Sequence, residues 1–182
     1  MNHEKLCGAI KSIAWGYILI HLHINLGAID ILPDFAGYLL ILGALPVLGQ
    51  SKPSALLLKP FCVGLVLWNL FTWITALVGI TSFGYLPSLL VSIVSLYFHF
   101  QLLTNVASIA RTYNCPQEKS ILHLRTIRTI MNTLFALPLP WSEQNVLTIL
   151  MLLFSLIIIL ITCTTLFSLY RTLQENISEE DY

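Results

Sequence analysis

The chain has 182 residues, of which 57% are hydrophobic and 10% charged; nine Lys and Arg balance nine Asp and Glu, and the mean hydropathy is +0.82. Soluble domains carry about 25% charged residues, so this composition cannot build a water-facing coat, and its neutral balance excludes a nucleic-acid binder. It is the composition of an integral membrane protein.

A spanning helix needs about 20 mostly apolar residues and satisfies its own backbone hydrogen bonds. Apolar windows run over about 7–28, 35–48, 61–80, 87–110 and 146–170, and a sixth, over about 120–139, is apolar on one face only. The connections 29–34, 81–86 and 140–145 are short and turn-like. The expected fold is therefore all-α, a polytopic transmembrane bundle of six helices arranged as three helical hairpins. Residues 1–174 read as a single transmembrane domain and 175–182 as a short acidic tail with Glu175, Glu179, Glu180 and Asp181. Leu-Pro recurs at Pro33, Pro87 and Pro140, which hints at a triplicated hairpin, although Leu-Pro pairs are frequent in so Leu-rich a chain.

The first window is interrupted by His21, His23 and Asn25, and bulky Leu26 stands where a signal peptidase needs a small residue for a cut after Ala28; it reads as a retained span. At its end Gly27 loosens the helix. Asp30 caps the next one, Pro33 fits a first helical turn, and Asp34 brings negative charge to the positive end of the helix dipole. The stretch Asn25-Leu26-Gly27-Ala28-Ile29-Asp30-Ile31-Leu32-Pro33-Asp34-Phe35-Ala36-Gly37-Tyr38 resembles the first-hairpin segment of small uncharacterised multi-pass membrane proteins of Gram-positive bacteria. That resemblance implies a bacterial inner-membrane location and no activity. Gly8, Gly16, Gly43, Gly64 and Gly79 permit close helix contacts without forming a Gly-x-x-x-Gly motif.

The fifth window is the most discriminating. Ile121, Leu124, Ile127, Ile130, Met131, Leu134 and Phe135 make one helical stripe, and Arg125, Arg128, Thr129 and Asn132 make another. Two arginines without a carboxylate at comparable depth are costly in hydrocarbon. Either the helix spans and they face a wet interior, or it lies along the interface and binds lipid phosphates, which leaves five spans. Ser142 and Glu143 can start the last helix.

Lys5, Lys11, Lys52, Lys59, Arg111, Lys119 and Arg171 all fall at one set of helix ends, and the three opposite connections hold no Lys or Arg. The positive-inside rule then places both termini in the cytoplasm. Cys7, Cys62, Cys115 and Cys163 fall on that side or in its half, so no disulfide is expected.

Counting inward at about 1.5 Å per residue puts His21, Asn69, His99 and Arg128 some 14–18 Å below the opposite turns, near the midplane, on four different helices. Interhelical hydrogen bonding alone would account for them. A cavity lined by His21, Asn69, His99, Arg125 and Arg128, with Asp30 and Asp34 at its outer mouth, would instead bind a small anionic solute, because guanidinium groups hold carboxylate and phosphate in a fork. His21 and His23 point about 200° apart on a helix, so no metal site is signalled, and no phosphate loop or nucleophile elbow occurs; no cofactor is expected.

Three readings follow. The first is a small transport or solute-binding component. The second is an accessory or scaffold subunit whose partners are membrane lipids and another membrane subunit. The outsider is a membrane-embedded hydrolase.

Overall fold

The computed structural model describes residues 3–21, 25–26, 29–30, 33–80, 83–136 and 146–180, leaving aside the side chains of 25, 26, 29, 30, 147, 148 and 177–180. Six α-helices account for nearly all of it: α1 (His3–His21), α2 (Asp34–Ser51), α3 (Lys59–Leu77), α4 (Tyr85–Thr112), α5 (Gln117–Ala136) and α6 (Val146–Glu180). A 3-10 turn over Pro53–Leu58 leads into α3. Asn25 pairs with Asp30 and Leu26 with Ile29 in a two-residue antiparallel ladder after α1.

Four stretches are long and apolar enough to cross a membrane: Asp34–Ser51, Pro53–Leu77, Tyr85–Thr112 and Ile149–Asn176. This is an all-α membrane protein. Among the described helices the other two carry more charge, α1 with Glu4, Lys5 and Lys11 and α5 with Glu118, Lys119, Arg125 and Arg128. The first apolar window extends to Ala28, but α1 stops at His21. His23, Gly27, Ala28, Ser142 and Glu143, to which roles were given above, lie outside the described residues, as does the Asp30 side chain.

Each helix packs against its neighbours in sequence, and α6 closes back onto α1, so the six form a ring. The pairings run up and down. On α1 and α2, Gly16 meets Gly37 and Ile41 while Ile20 also meets Gly37. Between α4 and α5, Arg111 pairs with Glu118 and Thr104 with Arg125. Trp15 meets Phe167 and Lys11 meets Tyr170 between α1 and α6, and Gln117 of α5 donates to Ser168 and Thr172 of α6. Thus α5 stands upright and antiparallel to both neighbours. The three-hairpin expectation holds for α1–α2, which share the most extensive contact, but α3 and α4 touch sparsely while α4 and α5 pack closely across the hairpin boundary.

One half of the ring is tightly packed and the other is open. Toward the α2–α3 and α4–α5 connections, Leu6, Ile10, Leu48, Leu58, Leu103, Val106, Ile109, Leu166, Leu169 and Leu173 are wholly or almost wholly buried. Toward the opposite ends, Ile74, Leu77, Tyr85, Leu86, Leu90, Ile149, Leu150 and Leu153 are exposed. Around a bundle at membrane depth such apolar surface is lipid contact, and Phe35–Trp73 and Trp68–Phe83 ring pairs gather near that end, as aromatic residues do at membrane interfaces.

Helix ends follow their sequences. α4 finishes in a Schellman motif, with the Cys115 amide bonded to the Ala110 carbonyl and the Asn114 amide to that of Arg111, and Asn114 takes the left-handed conformation at φ 53°. α3 ends in the same motif, Ile80 to Thr75 and Gly79 to Ala76, with Gly79 at φ 84°. Gly79 is therefore a helix terminator and not a helix contact. Pro33 is the residue before α2, not its first turn, and the helix starts at Asp34. All four cysteines are free and buried, and burial next to Cys7 pushes the Cys115 thiol up.

α1 and α2 cross with their backbones in close approach. A Cβ at Gly16 would lie 2.7 Å from the Gly37 carbonyl oxygen, and one at Gly37 would lie 2.6 Å from that of Gly16. Backbone cannot yield as a side chain can. Gly37→Ala should cost about 1–3 kcal/mol through overpacking, whereas Gly43→Ala, with nothing within 4 Å of the new methyl, should be silent. Thermal unfolding of the detergent-solubilised variants measures this, and equal midpoints for both would contradict the crossing.

Candidate functional site

Gly16 and Gly37 are each followed by a tyrosine, and the close crossing brings Tyr17 and Tyr38 to the middle of the ring. His99 of α4 lies between them. The Tyr17 hydroxyl is 3.1 Å from its Nδ1 and the Tyr38 hydroxyl 3.2 Å from its Nε2, and Tyr38 also reaches Ser95 Oγ at 3.3 Å. An uncharged imidazole offers one N–H and one lone pair, so one tyrosine accepts from His99 and the other donates to it. Both nitrogens are used, as buried polar groups require, and His99 is only 4% exposed. This Tyr–His–Tyr layer separates the packed half of the ring from the open half.

Above it lies a cavity of about 490 Å³, lined from five helices: Ile20 and His21 on α1, Asp34 and Tyr38 on α2, Leu65 and Asn69 on α3, residues between Val91 and His99 that include Ser92 and Ser95 on α4, and Arg128, Asn132, Thr133, Phe135 and Ala136 on α5. A further void of about 100 Å³ continues past His21 and Arg128 to Ser155 and Ile158 of α6. Such a volume falls in the range of small-molecule sites, about 300–1,000 Å³.

Arg128 is the dominant group. It is 6% exposed, its guanidinium carbon sits 4.9 Å from the centre of the Tyr17 ring, and its Nη2 donates to His21 Nε2. His21 Nδ1 is 2.8 Å from the Tyr17 carbonyl, which can only accept; Nδ1 therefore carries the proton, and Nε2 is left with the lone pair that faces Arg128. His21 is thus a neutral prop for a buried cation. Among the described residues no carboxylate pairs with Arg128, and its Nη1 is buried without a hydrogen-bond partner. A buried guanidinium in that state is costly, and an anion entering the cavity would supply what it lacks.

The residues singled out in the sequence divide clearly. His21, Asn69, His99 and Arg128 all line the one cavity, with Asp34 on its wall. Arg125 does not. Its Nη1 donates to Thr104 Oγ1 at 3.0 Å and its guanidinium lies 4.3 Å from the Phe100 ring centre, so it braces α5 against α4 and borders a void of about 10 Å³. Asn69 spends its amide on the Leu65 carbonyl at 2.7 Å. Sequence reasoning misses Tyr17, Tyr38 and Ser95; the signal for the tyrosines is a hydroxyl next to a glycine in each of the first two helices. Ser95 bonds to Tyr38 and not directly to His99, which gives no nucleophile–base pair there. No group of three metal-ligating side chains occurs among the described residues.

No family model, curated protein or solved structure matches this chain.

Because Tyr17 and Tyr38 serve the same imidazole, their effects should not add. Tyr38→Phe or Tyr17→Phe alone strands one ring nitrogen and should cost about 1–3 kcal/mol. The double variant should depart clearly from the sum in denaturant or thermal unfolding. Strict additivity would mean the two hydroxyls do not meet at His99.

Proposed function

We propose that the protein is a small solute-binding or transport component of the bacterial inner membrane, and that it takes an anionic solute into the cavity beside Arg128. The observation that carries this reading is the buried guanidinium on the wall of a ligand-sized void, with no carboxylate paired to it and no hydrogen-bond partner for its Nη1 among the described residues. Asn69, Asn132, Ser92 and Thr133 add neutral hydrogen-bonding groups, and Ile20, Leu65 and Val91 add apolar wall. His99 shapes the floor by holding both tyrosines, and Arg125 belongs to the scaffold. With both termini in the cytoplasm, as the basic residues argue, the cavity opens outward, on the side of Asp34. The upright stance of α5 favours six crossings over five.

A second reading, an accessory subunit with a purely structural polar layer, is favoured by one observation: the Tyr17–His99–Tyr38 network is complete without any ligand.

Thermal unfolding in detergent with acetate, benzoate, succinate and inorganic phosphate separates the two. A binder at a hundredfold excess over Kd gains about 2.7 kcal/mol of stability, visible as a rise in midpoint. Arg128→Ala should abolish the rise and Arg125→Ala should leave it. A midpoint that no anion moves in the wild type would favour the structural layer.

Orientation is checked with a membrane-impermeant thiol reagent on single-cysteine variants at Ser82, Ser142 and Ser178 in a cysteine-free background. Labelling of the first two alone agrees with six crossings; labelling of Ser178 puts the C-terminus outside and removes the outward-open cavity.

A further inference from the structure

The wall of the cavity ends at the bilayer. On α4 the exposed residues Leu86, Leu90, Ile93 and Tyr97 recur at i, i+4, i+7 and i+11, the stripe that meets lipid. Ile93 belongs to that stripe, at 54% exposed, and also lines the cavity. From α3, Leu65 and Asn69 line the same void. Among the described residues α3 and α4 make the sparsest contact of any neighbouring pair in the ring. The aromatic contacts on this side, Phe61 with Tyr97 and Trp68 with Phe83, fall before and after Leu65 on α3 and on either side of Ile93 in the chain. The void therefore opens sideways into hydrocarbon, between α3 and α4.

Most of the polar wall makes no demand for water. Ser92 donates its hydroxyl to the Ser88 carbonyl, Thr133 to that of Thr129, and Asn69 its amide to that of Leu65, each within its own helix. An alkyl chain can lie against groups whose donors are already used. Arg128 is different: it is the one Lys or Arg among the lining residues, and its Nη1 is buried with no hydrogen-bond partner among the described residues. One such cation matches one negative charge, and a second charge on the ligand would enter a site of low dielectric unmatched.

We infer that the site takes a monoanionic amphiphile of the fatty-acid type, its carboxylate on Arg128 and its alkyl chain leaving between α3 and α4 into the bilayer. This names the solute for the anion-binding reading above and rests on it. Arg128 lies about two helical turns below the end of α5 at Ala136, so the headgroup must leave the interface to reach it. A carboxyl group does so as the neutral acid, because desolvation favours its uncharged form. The phosphodiester of a bilayer phospholipid stays ionised and pays the full cost of burial.

The test titrates the thermal midpoint of the wild-type protein in phosphatidylcholine nanodiscs with laurate, with methyl laurate, which has the chain without the charge, and with phosphatidylglycerol, which brings the same bilayer charge on a diacyl lipid. Laurate should reach half its maximal rise at a mole fraction about tenfold below either control, the increment of a charge-assisted contact. Arg128→Gln should remove that difference. Ile93→Trp, which narrows the side opening, should weaken the laurate response about tenfold, whereas Ile93→Ala should leave it. The wild-type comparison decides even where a variant fails to fold. Methyl laurate or phosphatidylglycerol equal to laurate overturns the amphiphilic carboxylate, and so does a laurate response that Ile93→Trp leaves unchanged. A midpoint raised by acetate or benzoate but not by laurate overturns it while leaving the anion site intact. A midpoint that moves with no anion overturns both.

Discussion

The contact between the Gly16 and Gly37 backbones fixes the geometry on which the rest of the structure depends. With no Cβ on either side, α1 and α2 approach until each carbonyl oxygen fills the space where the other helix would carry a side chain. In lipid there is no hydrophobic gain from bringing apolar helices together, so close packing of this kind, with the weak Cα–H···O contacts it permits, is what holds them. The residue after each glycine is a tyrosine, and the crossing sets the two phenols on either side of His99. A change of one residue in the register of either helix would turn its hydroxyl about 100° away from the imidazole. Local packing therefore dictates the polar layer at the centre.

Arg128 poses the opposite problem, since a charge in such surroundings must be held in place by something. The face of Tyr17 and the lone pair of His21 do part of this, and both sit on α1, whose position the glycine crossing has already determined. α5 is the most polar of the helices, yet it stands in the ring because its Leu124, Met131 and Ile121 are buried on the same side as Arg128. Its amphipathic pattern is that of a helix with one wall toward a cavity, and its Arg125 shows how the same residue type, three positions earlier, becomes a brace through Phe100 and Thr104.

Composition and apolar windows disclose the six helices, because length and hydropathy are averages over many residues, but not all of their ends: α1 stops at His21, short of its window, and α6 runs to Glu180, past its own. Four of the polar residues that the sequence singles out, His21, Asn69, His99 and Arg128, line one cavity. Depth, however, says nothing of direction around the helix axis, and Arg125 shares with Arg128 a sequence stripe that the structure divides between two neighbours. The tyrosines are illegible for a related reason. A phenol in an apolar run is compatible with lipid, floor or core, and only the partner helix decides; the glycine that matters on α2, Gly37, can be recognised only once Gly16 is seen facing it.

The layer formed by Tyr17, His99 and Tyr38 also bears on how anything could get past it. Below it the ring is filled with leucine and isoleucine, so the void above ends blind, a cup and not a pipe. On that side the void is closed by three buried hydrogen-bonding groups that are already partnered and by the tight α1–α2 seam. Whatever enters the void from its open side, the packed half of the ring stands between it and the opposite face.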